Sequence, residues 1–175
     1  GAHVVNVAMR RPDLLHSWCS DVIALYDPEY VWHDLAQVWQ TPGAGEQAVA
    51  EMGAATIEQR AEQLAAAGVP PESADRLAEG FDETMGECIL ALYRSAAQPV
   101  MAQIGRRLPA AAQRPGLAVI ATDDHYAGSD RMRRRSAARA GARVEVLAGL
   151  GHWWMLQAPV RGAEMLSRFW ASLGD

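Results

Sequence analysis

Leu117-Ala118-Val119-Ile120-Ala121-Thr122-Asp123-Asp124 and, further on, Arg143-Val144-Glu145-Val146-Leu147 with Gly149-Leu150-Gly151-His152 behind it are the stretches that decide how this chain is read. The run 117–121 is continuously apolar and short, as expected of a strand buried on both faces of a parallel sheet. Ser129 stands where an N-cap should, opening a helix that ends at Gly141. Arg143 to Leu147 reads as the next strand. Pro159 opens a last helix, with Met165, Leu166, Phe169, Trp170 and Leu173 placed to dock on the sheet. Strand, helix, strand, helix with short connections predicts βαβ units and an α/β fold with a parallel sheet.

Working outward, residues 2–11 read as a helix ended by Pro12, and 14–21 as a short strand offering Leu15, Trp18 and Cys19 for packing. Asp27-Pro28 marks a turn. The middle is helical: an aromatic helix over 30–40, an alanine-rich one over 46–67 with Gly68 at its C′ position, and a short one over 73–79. Met85, Ile89, Leu92 and Ala96 then form an apolar stripe on a further helix punctuated by Pro99. A final short helix runs towards Leu108. About three strands are too few to cover this much helix, so further strands are expected upstream of residue 1. An alternative is a free-standing helical interaction protein with the middle segment as its core.

The composition narrows the chemistry. The 175 residues carry a formal net charge of −5, which gives no bulk attraction to nucleic acid or anionic membrane. All sixteen basic residues are arginine, which excludes Schiff-base, pyridoxal-phosphate and P-loop lysines. Arg131, Arg133, Arg134 and Arg135 read as a solvated helix face. Cys19 and Cys88 are too few for a disulfide scaffold, and burial as small hydrophobes in a reducing compartment is expected for both. The five histidines show no HExxH or HxxxH spacing, so no metal is expected. No apolar stretch has the length of a membrane span, and Gly1-Ala2-His3 is no basic leader before an apolar block. These features point to a soluble, cytoplasmic, bacterial protein.

Each of the two C-terminal strands runs into a loop with chemistry in it: Thr122-Asp123-Asp124-His125-Tyr126 and Gly149-Leu150-Gly151-His152-Trp153. Ligands and catalytic groups in open parallel sheets gather at the carboxyl ends of strands. An imidazole held by a carboxylate is the base–orienter pair that activates a nucleophile. On these residues the chain resembles the α/β-hydrolase superfamily, in its capped branch of epoxide hydrolases, haloalkane dehalogenases and ester or C–C hydrolases. Ala121-Thr122-Asp123-Asp124 matches the family's G-x-x-D-type acid turn, with alanine for glycine, and puts Asp124 on the acid position. Gly149-Leu150-Gly151-His152 matches the G-x-G-H-type loop of the catalytic histidine, and Gln157-Ala158-Pro159 the start of the following helix. The order acid then histidine also agrees.

The resemblance implies the C-terminal part of an α/β-hydrolase fold. Residues 1–25 would be core, 26–108 an inserted helical cap and 109–175 the core segment with the acid and the histidine. Gly1-Ala2 and Arg11-Pro12-Asp13-Leu14-Leu15 look like the stretch behind a nucleophile elbow, with Gly1 as its final glycine and a Ser or Asp nucleophile two residues before it. The implied reaction is cofactor-free hydrolysis of a small, largely apolar ester, lactone or C–C diketone if that residue is Ser. With Asp, an epoxide or haloalkane is implied. A hydrolase-fold ligand binder without turnover is the rival. Trp153, Trp32 and Trp39 are candidate substrate contacts; for Trp32 and Trp39 plain packing is an equal alternative. The partners expected are the substrate and the upstream half of the same protein, with a homodimer left open.

Overall fold

Among the described residues three strands set the frame, and the central one, β2, is buried along its whole length. The computed structural model describes residues 1–174. In chain order the elements are α1 (Ala2–Arg10), β1 (Trp18–Ser20), α2 (Asp34–Gln40), α3 (Ala44–Ala54), α4 (Ile57–Ala66), α5 (Pro71–Glu79) and α6 (Glu83–Ser95). They continue as α7 (Val100–Gly105), β2 (Gly116–Ala121), α8 (Asp130–Arg139), β3 (Arg143–Leu147), α9 (Trp154–Gln157) and α10 (Pro159–Ala171). Short 3₁₀ turns lie at Pro12–Leu14, Ile23–Tyr26 and Leu108–Gln113. Among the described residues no helix is long and apolar enough to cross a membrane. The chain divides into two compact units, Gly1–Val31 with Met101–Asp175, and Trp32–Val100. Tyr26 and Leu108 are fully buried in the first unit, so its borders fall several residues inside the 26–108 span.

In the first unit β1, β2 and β3 pair in that order and all parallel, with Cys19 opposite Leu117 and Ala121 opposite Leu147. The apolar run of β2 is what a central strand of a parallel sheet requires. Leu117, Val119 and Ala121 pack with Leu147, Trp154, Met165 and Phe169 into one core cluster. Burying a side chain of this size contributes roughly 1.5–3 kcal/mol, which is why β2 dominates the unit. Gly116 is required where β2 begins, because a Cβ there would come within 2.2 Å of the Trp18 ring.

Several sequence expectations are corrected here. The strand expected over 14–21 is only Trp18–Ser20, because Pro12 starts a 3₁₀ turn that leaves Leu14 62% exposed. Trp170 does not dock: one residue past buried Phe169 it is turned about 100° round α10, and it is 52% exposed. Cys88 is exposed, while Cys19 is half-buried and its thiol is pushed up to about 12 by burial. The arginine run is a solvated face only at Arg131 and Arg134, which are exposed. Arg133 is buried, and Arg135 donates to both carboxylate oxygens of the fully buried Asp27 at 2.6 and 2.8 Å.

The second unit consists of helices set by local signals. His33 Nδ1 accepts from the Ala36 N–H and caps α2, so the helix expected over 30–40 starts only at Asp34. The helix expected over 46–67 is two. Thr56 and Gln59 form a reciprocal capping box that starts α4 afresh. Arg60 closes the break by donating to the carbonyls of Met52 and Ala55, and to that of Ala78. Ala61, Ala74 and Ala78 are buried, so α4 and α5 pack through small residues. The stripe expected on α6 is not a buried face: Met85 and Leu92 are both nearly half exposed.

Candidate active site

The carboxyl end of β2 turns sharply after Ala121, and the Asp124 N–H donates back to the Ala121 carbonyl at 3.3 Å. The turn is laced to the loop after β3: the Thr122 N–H donates to the Leu147 carbonyl at 3.2 Å and the Asp123 N–H to the Leu150 carbonyl at 2.9 Å. Thr122 Oγ1 accepts from the Gly149 N–H at 2.8 Å. Gly149 has φ +75°, a left-handed conformation that favours glycine. Gly151 donates to Gln157 Oε1 at 2.8 Å, which ties the loop to α9. The two loops therefore hold each other through backbone, and the side chains they carry are preorganised.

Asp124 and His152 meet across that seam. Asp124 Oδ2 lies 3.0 Å from His152 Nδ1, with the carboxylate 3% exposed and the imidazole 31%. Asp124 Oδ1 accepts from the N–H groups of Tyr126 and Ala127 at 2.7 and 3.2 Å, so the carboxylate cannot rotate freely. Asp123 instead accepts from Thr122 Oγ1 and faces solvent. The rings of Tyr126 and Trp153 stand edge-on to the imidazole at 5.2 and 5.5 Å. With Nδ1–H donated to the carboxylate, Nε2 is left as the acceptor of the ring.

The electrostatics suit a base. Burial pushes Asp124 up, but the His152 hydrogen bond and charge, the Tyr126 N–H and the Arg133 charge outweigh it and hold the carboxyl below its usual range. The Asp124 hydrogen bond raises His152 above the ordinary imidazole value; burial and Arg133 oppose this, while the charges of Asp124 and Asp21 add to it.

Asp21 and Arg133 were not among the sequence candidates. Asp21 follows β1, and its Oδ2 accepts from Trp154 Nε1 at 3.1 Å. The strand-end rule that singled out Asp124 and His152 applies to it equally. The N-terminus of α1 lies at the same edge: a Cβ on Gly1 would meet Val22 Cγ2 at 2.5 Å and Asp21 Oδ1 at 2.6 Å. Arg133 was recoverable from spacing, since 133, 136 and 137 form the buried face of α8 and Ala140, just behind it, is buried too.

Trp32 and Trp39 stand in the helical unit with each other's neighbours. Their rings lie 5.2 and 4.6 Å from that of Tyr93, and Trp32 Nε1 donates to the Ala96 carbonyl at 3.0 Å. Among the described residues, no group of three or more His, Cys, Asp and Glu is arranged to hold a metal ion.

No protein-family model matches the chain, and no curated protein matches it. Its structure is similar to that of E-2-(acetamidomethylene)succinate hydrolase, with a TM-score of 0.65 and 15% identity, over 95% of this chain and 61% of that one. It is also similar to a loop variant of a haloalkane dehalogenase from Bradyrhizobium elkanii, with a TM-score of 0.54 and 17% identity, over 99% of this chain and 66% of that one. A hydrolase from Pseudomonas aeruginosa PA01 gives a TM-score of 0.53 and 18% identity, over 100% and 62%. The chain spans less than two thirds of the length of each of these structures. Its three parallel strands with flanking helices are the C-terminal part of an α/β-hydrolase fold.

Proposed function

We propose that this chain supplies the acid and the base of a hydrolase, with His152 as general base, Asp124 as its orienter and the nucleophile on a segment preceding residue 1. The observation that carries this reading is the 3.0 Å contact between a buried Asp124 carboxylate and the partly exposed imidazole of His152 at the carboxyl edge of the sheet. A buried acid fixes the tautomer, leaves Nε2 free to take a proton and stabilises the imidazolium that results.

The expected substrate is a small, largely apolar ester or lactone. With a serine nucleophile, Nε2 takes the hydroxyl proton as Oγ attacks the carbonyl carbon, then returns it to the leaving alcohol. Water next hydrolyses the acyl-enzyme with the same base. With an aspartate nucleophile, a carboxylate oxygen displaces halide or opens an epoxide at carbon, and His152 activates water against the ester so formed. The crowding at Gly1 suits the final glycine of a tight elbow in either case. The helical segment expected over 26–108 is read as a cap, with Trp153, Trp32 and Trp39 as apolar substrate contacts, and no cofactor is needed. The protein is read as cytoplasmic.

The test is His152→Ala in the intact protein, assayed with p-nitrophenyl butyrate and with a bromoalkane. The expected result is loss of turnover by about 10⁴-fold or more, with the thermal midpoint nearly unchanged. Turnover that survives, or a protein that no longer folds, sinks the catalytic reading and makes the histidine a structural one.

A further inference from the structure

Of the four arginines near the start of α8, three pair with carboxylates. Arg131 pairs with Glu29, Arg134 with Asp130, and Arg135 with Asp27 and Glu29. Arg133 is different. It is 4% exposed, and among the described residues its hydrogen bonds go to three backbone carbonyls and to no carboxylate. Nη1 donates to the Ala121 carbonyl at 2.7 Å, Nε to the Ala127 carbonyl at 3.3 Å, and Nη2 to the carbonyl of Asp124 itself.

Burying a guanidinium is costly unless its donors are satisfied, and an apolar side chain of similar volume would fill the same space without that cost. What the guanidinium adds is geometry. Its five N–H donors form a rigid planar fork, which an ammonium does not offer. Here the fork spans the last residue of β2, the acid and the end of the acid turn. Both sides of the Asp124 backbone are thereby fixed, while Tyr126 and Ala127 fix one carboxylate oxygen and leave the other for His152. Its charge also acts on the pair, since it lowers both Asp124 and His152.

We propose that Arg133 is a positioning residue: it clamps the turn through the carbonyls of Ala121, Asp124 and Ala127, and so aims the Asp124 carboxylate at His152 Nδ1. This rests on the catalytic reading of the pair. The clamp itself can be read without turnover, through the downfield proton resonance of a histidine Nδ1–H bonded to a carboxylate.

The experiment compares the intact protein with Arg133→Met, Arg133→Lys and Asp124→Asn, by that resonance and by kcat and KM. Asp124→Asn removes the resonance and serves as the reference. Arg133→Met is expected to broaden or abolish it and to lower kcat by about 10²-fold while KM stays within a few-fold, as a misaimed catalytic group would. Should Arg133→Met fail to fold, Arg133→Lys, which keeps the charge and loses the fork, decides: a weakened resonance and lower kcat support the clamp. An unchanged resonance and kcat in a folded Arg133 variant overturn it. If the resonance responds as expected while His152→Ala leaves turnover intact, the clamp stands and the catalytic reading falls.

Discussion

The first unit ties its strand-end loops to each other largely through backbone, whereas the helices of the second unit start at caps that each serve a single helix and are joined to one another by side chains such as Arg60. In the first unit, Thr122, Asp123 and Gly149 each donate from backbone N–H across the seam between the β2 and β3 loops. In the second, Thr56 with Gln59, Asp82 with Met85, and His33 with Ala36 satisfy only the first turn of their own helices. The difference teaches where chemistry can be held. A group that must meet another within hydrogen-bond reach needs supports from two elements, and the strand-end loops supply them through backbone.

Substitutions in the two regions should therefore fail in different ways. The largest effect is expected from Asp124→Asn, which keeps the volume and loses the charge. Turnover should fall by about 10³- to 10⁴-fold. The pH profile sharpens the point. With His152 as the base, activity would need the neutral imidazole, so it should rise with pH through a midpoint above the ordinary imidazole value, because Asp124 raises His152. In Asp124→Asn the hydrogen bond to a carboxylate and its charge are both lost, so the residual activity should show a lower midpoint. A profile that does not move would separate His152 from Asp124.

A middle-sized effect is expected from Trp32→Phe in the helical unit. If that unit shapes the substrate site, KM or the preference between short and long acyl chains should change several-fold, with kcat kept. Full kinetics on a series of p-nitrophenyl esters would show it, and identical constants throughout would return Trp32 to packing. The smallest effect on catalysis is expected from Thr56→Ala. Losing the cap should cost about 1 kcal/mol of stability and leave kcat unchanged, as read by urea unfolding beside the ester assay.

Much of the first unit was legible because burial on both faces writes a continuous apolar run. Leu117 to Ala121 has no other simple reading, and the strand Arg143–Leu147 follows from the helix stop at Gly141. That Asp124 and His152 stand in the loops behind β2 and β3 was legible from the ends of the two strands. Arg133 was hidden by composition: in a run of arginines each looks solvated, and only the helical period puts one of them inside with Ser136 and Ala137. Asp21 was hidden because β1 is three residues long and its start is masked by the 3₁₀ turn at Pro12–Leu14. In the helical unit the break at Ala55 was written in Thr56 and Gln59, but alanine propensity on both sides outweighed it in the reading. The substrate was not legible, since apolar rings that pack and apolar rings that bind look alike.

The central claim is that Asp124 and His152 serve a nucleophile carried just before Gly1. It is tested most directly by replacing the residue two positions before Gly1 with alanine in the intact protein and measuring hydrolysis. The account predicts that this residue is Ser or Asp, and that its replacement abolishes turnover while the His152 Nδ1–H resonance persists. A residue of another kind at that position, or hydrolysis that survives its replacement, would contradict the account.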